Sequence, residues 1–228
     1  MATNGRIQTL STSIRGSLHK SLGLPCQDYS CARTANNKLV AVVSDGAGSA
    51  KHSKIGAKII CDTLCDLLIK SDISSIRSDV VKAIDAARQK LLLHRCNQSK
   101  TCAGLINFSA TLVGVFYHNH KGVFFHIGDG AGIAFKNGEY SNFIISEPEN
   151  GAFSCETYFY TMDEWKDCLR FTDFENANRI LLMTDGCAIA AEGYARVNQR
   201  LGVVNVTTGP GGLNCLNGVF GQWTDSVP

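Results

Sequence analysis

The chain has almost no charge excess: 22 Lys and Arg stand against 20 Asp and Glu, a net charge of +2 over 228 residues. No basic stripe runs along it, which argues against a partner tracked through its phosphate backbone, such as a nucleic acid. It lacks any apolar run approaching the roughly 20 residues of a spanning helix, and its first residues, "MATNGRIQTLSTSIRG", lack the apolar core of a signal peptide. Membrane and export readings are therefore unsupported, and the expectation is a cytoplasmic protein. There is no CxxC pair among the ten cysteines, which are spread through segments with helix and strand character. That pattern fits free, buried thiols better than a disulfide framework or a zinc site. Internal repeats and low-complexity tracts are also missing.

What remains is an ordinary globular composition, 44% hydrophobic and 18% charged in 24.6 kDa, enough for one domain with a sizeable core. Residues 1–228 are read as a single domain whose part from about 203 is atypical. The run "LVAVVS" over 39–44 has the continuous β-branched character of a strand buried on both faces. Apolar residues at helical spacing predict one helix over 53–70, with Ser53 as its cap, and a second built on Ile76, Val80, Val81, Ile84, Ala87 and Leu91. "NQSKTCAGLI" reads as a loop. The stretch from Asn107 to Ser146 reads as an antiparallel meander with turns at 118–122, 128–132 and Asn137-Gly138. "CETYFYTM" is a possible further strand, "DEWKDCLRFTDF" is ambiguous, and "RILLMTDG" is a third buried strand. This order argues for segregated α+β layers rather than βαβ units.

Three apolar runs end in the same way, at Asp45-Gly46, Asp129-Gly130 and Asp185-Gly186. Each glycine lets the backbone turn close to whatever the carboxylate binds. Any one pair is an ordinary turn dipeptide. Three together, at the ends of buried runs, suggest carboxylates gathered around hard cations, since Mg²⁺ and Mn²⁺ take oxygen ligands and leave positions open for a phosphate oxygen. His118, His120 and His126 fall in or beside the meander and read as surface or core residues, and Ser109 and Thr111 read as packed within its central strand.

Taken with their neighbours, these segments resemble the metal-dependent serine/threonine phosphatases of type 2C, in particular a bacterial branch. The likeness runs from about residue 11 to 191: "RGSLHKSLGLPCQDYS", "VVSDGAGSAKHSKIGA", "FSATLVGVF", "FHIGDGAGI", "ETYFYT" and "RILLMTDG" follow in the family's order. The resemblance implies a four-layer α-β-β-α sandwich with two central antiparallel sheets and a metal cleft at one end. It implies hydrolysis of phosphoserine or phosphothreonine through a water bridging two Mn²⁺ or Mg²⁺ ions, with a third, weaker position beside them. By position, Asp45 would bridge the ions, the Gly46 carbonyl would bind one and Asp185 the other. Asp28 would hold water in the outer shell, and Asp129 would serve the third position.

Arg15 and His19 stand as candidate phosphate contacts, Arg15 because its planar fork can donate two bonds. Ala47 occupies the place where some relatives carry a histidine, so proton donation falls to His52, His19 or a metal-bound water. The implied partners are a phosphorylated protein and an opposing serine/threonine kinase. One element of the family pattern is missing, its last acidic motif. The only carboxylate beyond Val203 is Asp225, in a Gly- and Asn-rich stretch without clear periodicity. That loss keeps an alternative open, a catalytically weak phosphatase-like module that binds phosphoproteins or a kinase.

Overall fold

The computed structural model describes residues 7–13, 20–21, 23, 25–98, 104–136, 142–147 and 157–184, without the side chains of 95–98. Its elements are β1 (Tyr29–Ala35), β2 (Lys38–Ser44), α1 (Ser53–Leu68), α2 (Ile76–Gln98), a 3-10 turn (Leu105–Phe108), β3 (Leu112–His118), β4 (Lys121–Ile127), β5 (Ala131–Lys136), β6 (Phe143–Ser146), β7 (Arg170–Glu175) and β8 (Ala177–Met183). The strands form two antiparallel sheets, a five-stranded one ordered β1-β2-β3-β4-β7 and a three-stranded one ordered β6-β5-β8.

The larger sheet is buried on both faces, as the unbroken apolar character of "LVAVVS" predicts. One face carries Val40, Val42, Phe116, Phe125 and Ile127 against Ile60, Leu64 and Leu68 of α1 and Val80, Ile84 and Leu91 of α2. The other face meets the smaller sheet through Val115, Phe124 and Phe174, packed on Ala134 with Ile144, Ile180 and Leu182 at its margin. Alternation along each strand sends neighbours into different cores. The result is an α+β fold with three layers among the described residues, helices, sheet and sheet. The helical layer expected over the far side of the smaller sheet lies outside them, and there Phe143 and Leu181 remain about half exposed, at 45% and 46%.

Several local expectations change. The stretch read as one meander is split between the sheets, because Gly128 adopts φ +108° and sends the chain from β4 into β5 of the other sheet. "CETYFYTM" is not a strand where it is described: Thr157 makes an isolated bridge and residues 160–162 turn. Helix α1 starts one residue earlier than predicted. Its cap is His52, without a side-chain cap bond, and Ser53 is the first helical residue. The adjacent 3-10 segment fixes that start instead, since His52 donates its N–H to the Asn107 carbonyl at 2.8 Å and its ring lies 5.5 Å from that of Phe108. β1 and β7 carry too mixed a pattern to stand out in the sequence. They are recruited by pairing, β1 through a tight turn at Asn36 and Asn37, both at positive φ.

Candidate functional site

Strand register gathers the first acidic residues. Tyr29 of β1 pairs with Ser44 of β2, so the next residue on each side, Asp28 and Asp45, continues the antiparallel row by one step. Both are half-buried. Val43 pairs with Val113 and Leu112 with Ile127, so the same row continues through Thr111, just before β3, to Gly128, just after β4. Asp45 and Thr111 are joined on both sides: Thr111 N–H donates to the Asp45 carbonyl at 2.9 Å, and Asp45 N–H donates to Thr111 Oγ1 at 3.0 Å. The Ser44 hydroxyl also donates to the Thr111 carbonyl, at 2.6 Å.

Gly46 forms an isolated antiparallel bridge with Ala110. The ladder bonds around it belong to Asp45 and Ala47, whose N–H donates to the Ser109 carbonyl at 2.9 Å. Gly46 therefore spends neither its N–H nor its carbonyl on that ladder. A Cβ at this position would come within 2.9 Å of Ser53 backbone and side chain and 3.0 Å of the Gln27 carbonyl. Only glycine lets segment 25–28 and the start of α1 close on the Asp45 corner. The Cys26 thiol, 3.6 Å from Asp28 Oδ2, lies on the same side.

The second corner stands beside the first. Asp129 follows Gly128, and its Oδ2 accepts a 2.8 Å hydrogen bond from the Thr157 hydroxyl. Gly130 approaches β8 so closely that a Cβ would lie 2.7 Å from the Met183 carbonyl. The strand end that precedes Asp185 is thus packed against the Asp129 corner. Tyr160, fully buried, ties these parts to the helices. Its hydroxyl donates to the Gly56 carbonyl at 2.9 Å, its N–H to the Ala110 carbonyl at 3.3 Å, and its carbonyl accepts from Arg88 at 2.8 Å.

Of the residues singled out in the sequence, the structure brings Asp28, Asp45, Gly46 and Asp129 to one end of the sandwich. His52 caps α1 at that same end. Arg15, His19, Asp185 and Asp225 lie outside the described residues. Among the described residues no three His, Cys, Asp or Glu side chains form a ready-made cation site. The donor set nevertheless fits a hydrated hard cation: carboxylates on adjacent strand ends, a backbone carbonyl kept out of the ladder, and no thiol or imidazole required. Sequence reasoning missed Thr111, Thr157 and Tyr160. Ser109 and Thr111, expected inside the central strand, precede it and form the bracing of the Asp45 corner. The "FSATLVGVF" and "ETYFYT" motifs carried that signal. His126 is a buried core histidine, as expected, with Nδ1 3.1 Å from the Ser146 hydroxyl.

The sequence profile described as "Protein phosphatase 2C" matches residues 15–211 of the chain. Solved structures share the fold. A serine/threonine phosphatase of Staphylococcus aureus, Stp1, matches with a TM-score of 0.54 at 12% identity, over 95% of this chain and 93% of that one. A bacterial serine phosphatase gives 0.55 at 13%, covering 71% and 73%, and the S. agalactiae serine/threonine phosphatase gives 0.52 at 13%, covering 71% and 74%. The chain belongs to the protein phosphatase 2C family, so the resemblance to that family and its two-sheet α+β fold are borne out. A different likeness is confined to short stretches. The acetolactate synthase large subunit of Lactococcus lactis is 42% identical over 57 residues, 25% of this chain and 10% of that protein, and its Haemophilus influenzae counterpart is 50% identical over 38 residues. This chain thus spans a tenth or less of the curated relatives it matches.

Proposed function

We propose that the chain is a metal-dependent phosphoprotein phosphatase acting on phosphoserine and phosphothreonine. The observation that carries the reading is the shared row of strand ends, with Asp28 and Asp45 at neighbouring positions and the Asp129 corner next to them, in a chain of this family. Asp45, the Gly46 carbonyl and Asp185 would hold two Mn²⁺ or Mg²⁺ ions, with Asp28 in the outer shell and Asp129 at a third, weaker position. When bound, such ions lower the pKa of water and neutralise phosphoryl charge. The protein's part is to fix the carboxylates on rigid strand ends, so that little reorganisation is needed when the phosphoryl group arrives. Arg15 and His19 are assigned to the phosphate, and protonation of the leaving serine or threonine oxygen to His52, His19 or a metal-bound water.

The test is hydrolysis of a chromogenic phosphate ester by the purified protein with Mn²⁺, without it and with EDTA. Mn²⁺-dependent release supports the reading, and a flat response in all three overturns it. A flat response would favour the second reading, a phosphatase-like module that binds phosphoproteins, for which the missing last acidic motif speaks.

We also infer that the synthase-like stretches reach into the C-terminal tail, because residues 187–228 carry none of the six phosphatase motifs. A tenth of a synthase is too little to carry that enzyme's reaction, and none is assigned. Deleting residues 212–228, beyond the family match, should leave the phosphatase rate unchanged, whereas a lost rate would tie the tail to the phosphatase.

A further inference from the structure

We propose that Thr111 is a positioning residue that couples the two acidic corners, its hydroxyl fixing one and its methyl the other. The inference rests on the phosphatase reading above, because it concerns the carboxylates assigned to the cations. Thr111 is 3% exposed and stands between the Asp45 and Gly128 positions of the strand-end row. On one side its Oγ1 accepts the Asp45 N–H, while its N–H donates to the Asp45 carbonyl. The backbone of Asp45 is thereby held at both its polar groups by a single residue. Thr111 is held in turn by the Ser44 hydroxyl at its own carbonyl.

On the other side, a Cβ added to Gly128 would lie 2.8 Å from Thr111 Cγ2 and 3.0 Å from its Cβ. The methyl therefore packs on the glycine whose φ of +108° turns the chain toward Asp129. Valine would preserve that packing but leave the Asp45 N–H without its acceptor. Serine would keep the acceptor and open a gap beside Gly128. Threonine alone meets both demands, and it does so without being needed as a ligand. Groups that orient metal-binding side chains from behind act in this way, and their loss weakens metal affinity while the ligands stay in place.

The experiment compares the wild type with Thr111→Val, Thr111→Ser and Thr111→Ala by Mn²⁺ titration calorimetry, with thermal unfolding in metal-free buffer as the folding control. Val and Ala are expected to bind Mn²⁺ about 10- to 100-fold more weakly, with Ser much closer to the wild type. At saturating Mn²⁺ the kcat of the Val variant should recover towards that of the wild type, which a general loosening of the fold would not produce. Wild-type affinity in a folded Val variant overturns the inference. If Val does not fold, the Ala and Ser variants decide, and equal affinities for those two overturn it. Failure of the wild type itself to bind Mn²⁺ removes the phosphatase reading and this inference with it, a result distinct from an unchanged variant.

Discussion

Acidification should destabilise this protein through one imidazole. His126 lies between the sheets, fully buried, with its Nδ1 beside Ser146 Oγ and its Nε2 without a hydrogen-bond partner among the described residues. Desolvation, aided by the positive charge of Arg170 opposite it on β7, lowers its pKa from 6.5 to about 3. A depressed folded pKa means that the unfolded chain takes up the proton first, so stability is full above pH 6.5 and falls as pH drops through the window from 6.5 towards 3. With those two values, the loss between pH 7 and pH 5 is about 2 kcal/mol, and the limiting loss near pH 3 is about 5 kcal/mol. For a chain of this size, 2 kcal/mol corresponds to roughly 4–8 °C in Tm.

Urea unfolding at pH 7, 6 and 5 of the wild type and His126→Gln measures it, because subtraction removes the other titrating groups common to both proteins. The stability difference should shift by about 2 kcal/mol against the wild type between pH 7 and pH 5. A difference that stays flat over that range would refute the reasoning and show that the imidazole can take up its proton in place.

Other expectations concern the site and its bracing. Asp45→Ala should lower Mn²⁺-dependent phosphate release by about 100-fold or more, with Tm held close to that of the wild type; retained activity would remove Asp45 from the site. Tyr160→Phe deletes the hydrogen bond to Gly56 inside a closed core and should cost about 1–2 kcal/mol by chemical denaturation. Gly56→Ala would drive a Cβ to within 2.0 Å of the Phe108 carbonyl, so a loss of about 1–3 kcal/mol is expected, seen as a lower unfolding midpoint.

The long helices and the β2 strand were legible because their apolar residues repeat with clean periods over many positions, and the β3–β4 hairpin because Asn119 and His120 sit in an evident turn. β1 and β7 were not legible. "YSCARTA" and "RFTDFE" mix polar and apolar residues, and both are strands chiefly because β2 and β4 offer them edges to pair with. The acidic corners could be read as Asp-Gly pairs, and the family resemblance supplied their order. Their arrangement in one row could not be read, because register is set by pairing across the sheet rather than by any local signal. The same holds for Thr111: the sequence shows a polar residue at the edge of an apolar run, and only the neighbouring strands reveal that its two branches meet different partners. The change of sheet at Gly128 is likewise hidden, since a glycine-rich turn reads as a hairpin unless the next strand is seen to leave.

The five-stranded sheet is polar in the geographical sense. The turns at Asn36-Asn37 and Asn119-His120 lie next to each other, since Lys38 pairs with His118, while the carboxylates occupy the opposite rim. Strands of seven residues separate the two by roughly 20 Å. Inserted peptides, tags or a tethered targeting module at the hairpin rim would sit a full strand length from the chemistry, which makes that rim the place where such a domain could be redirected to new substrates without retuning its reaction.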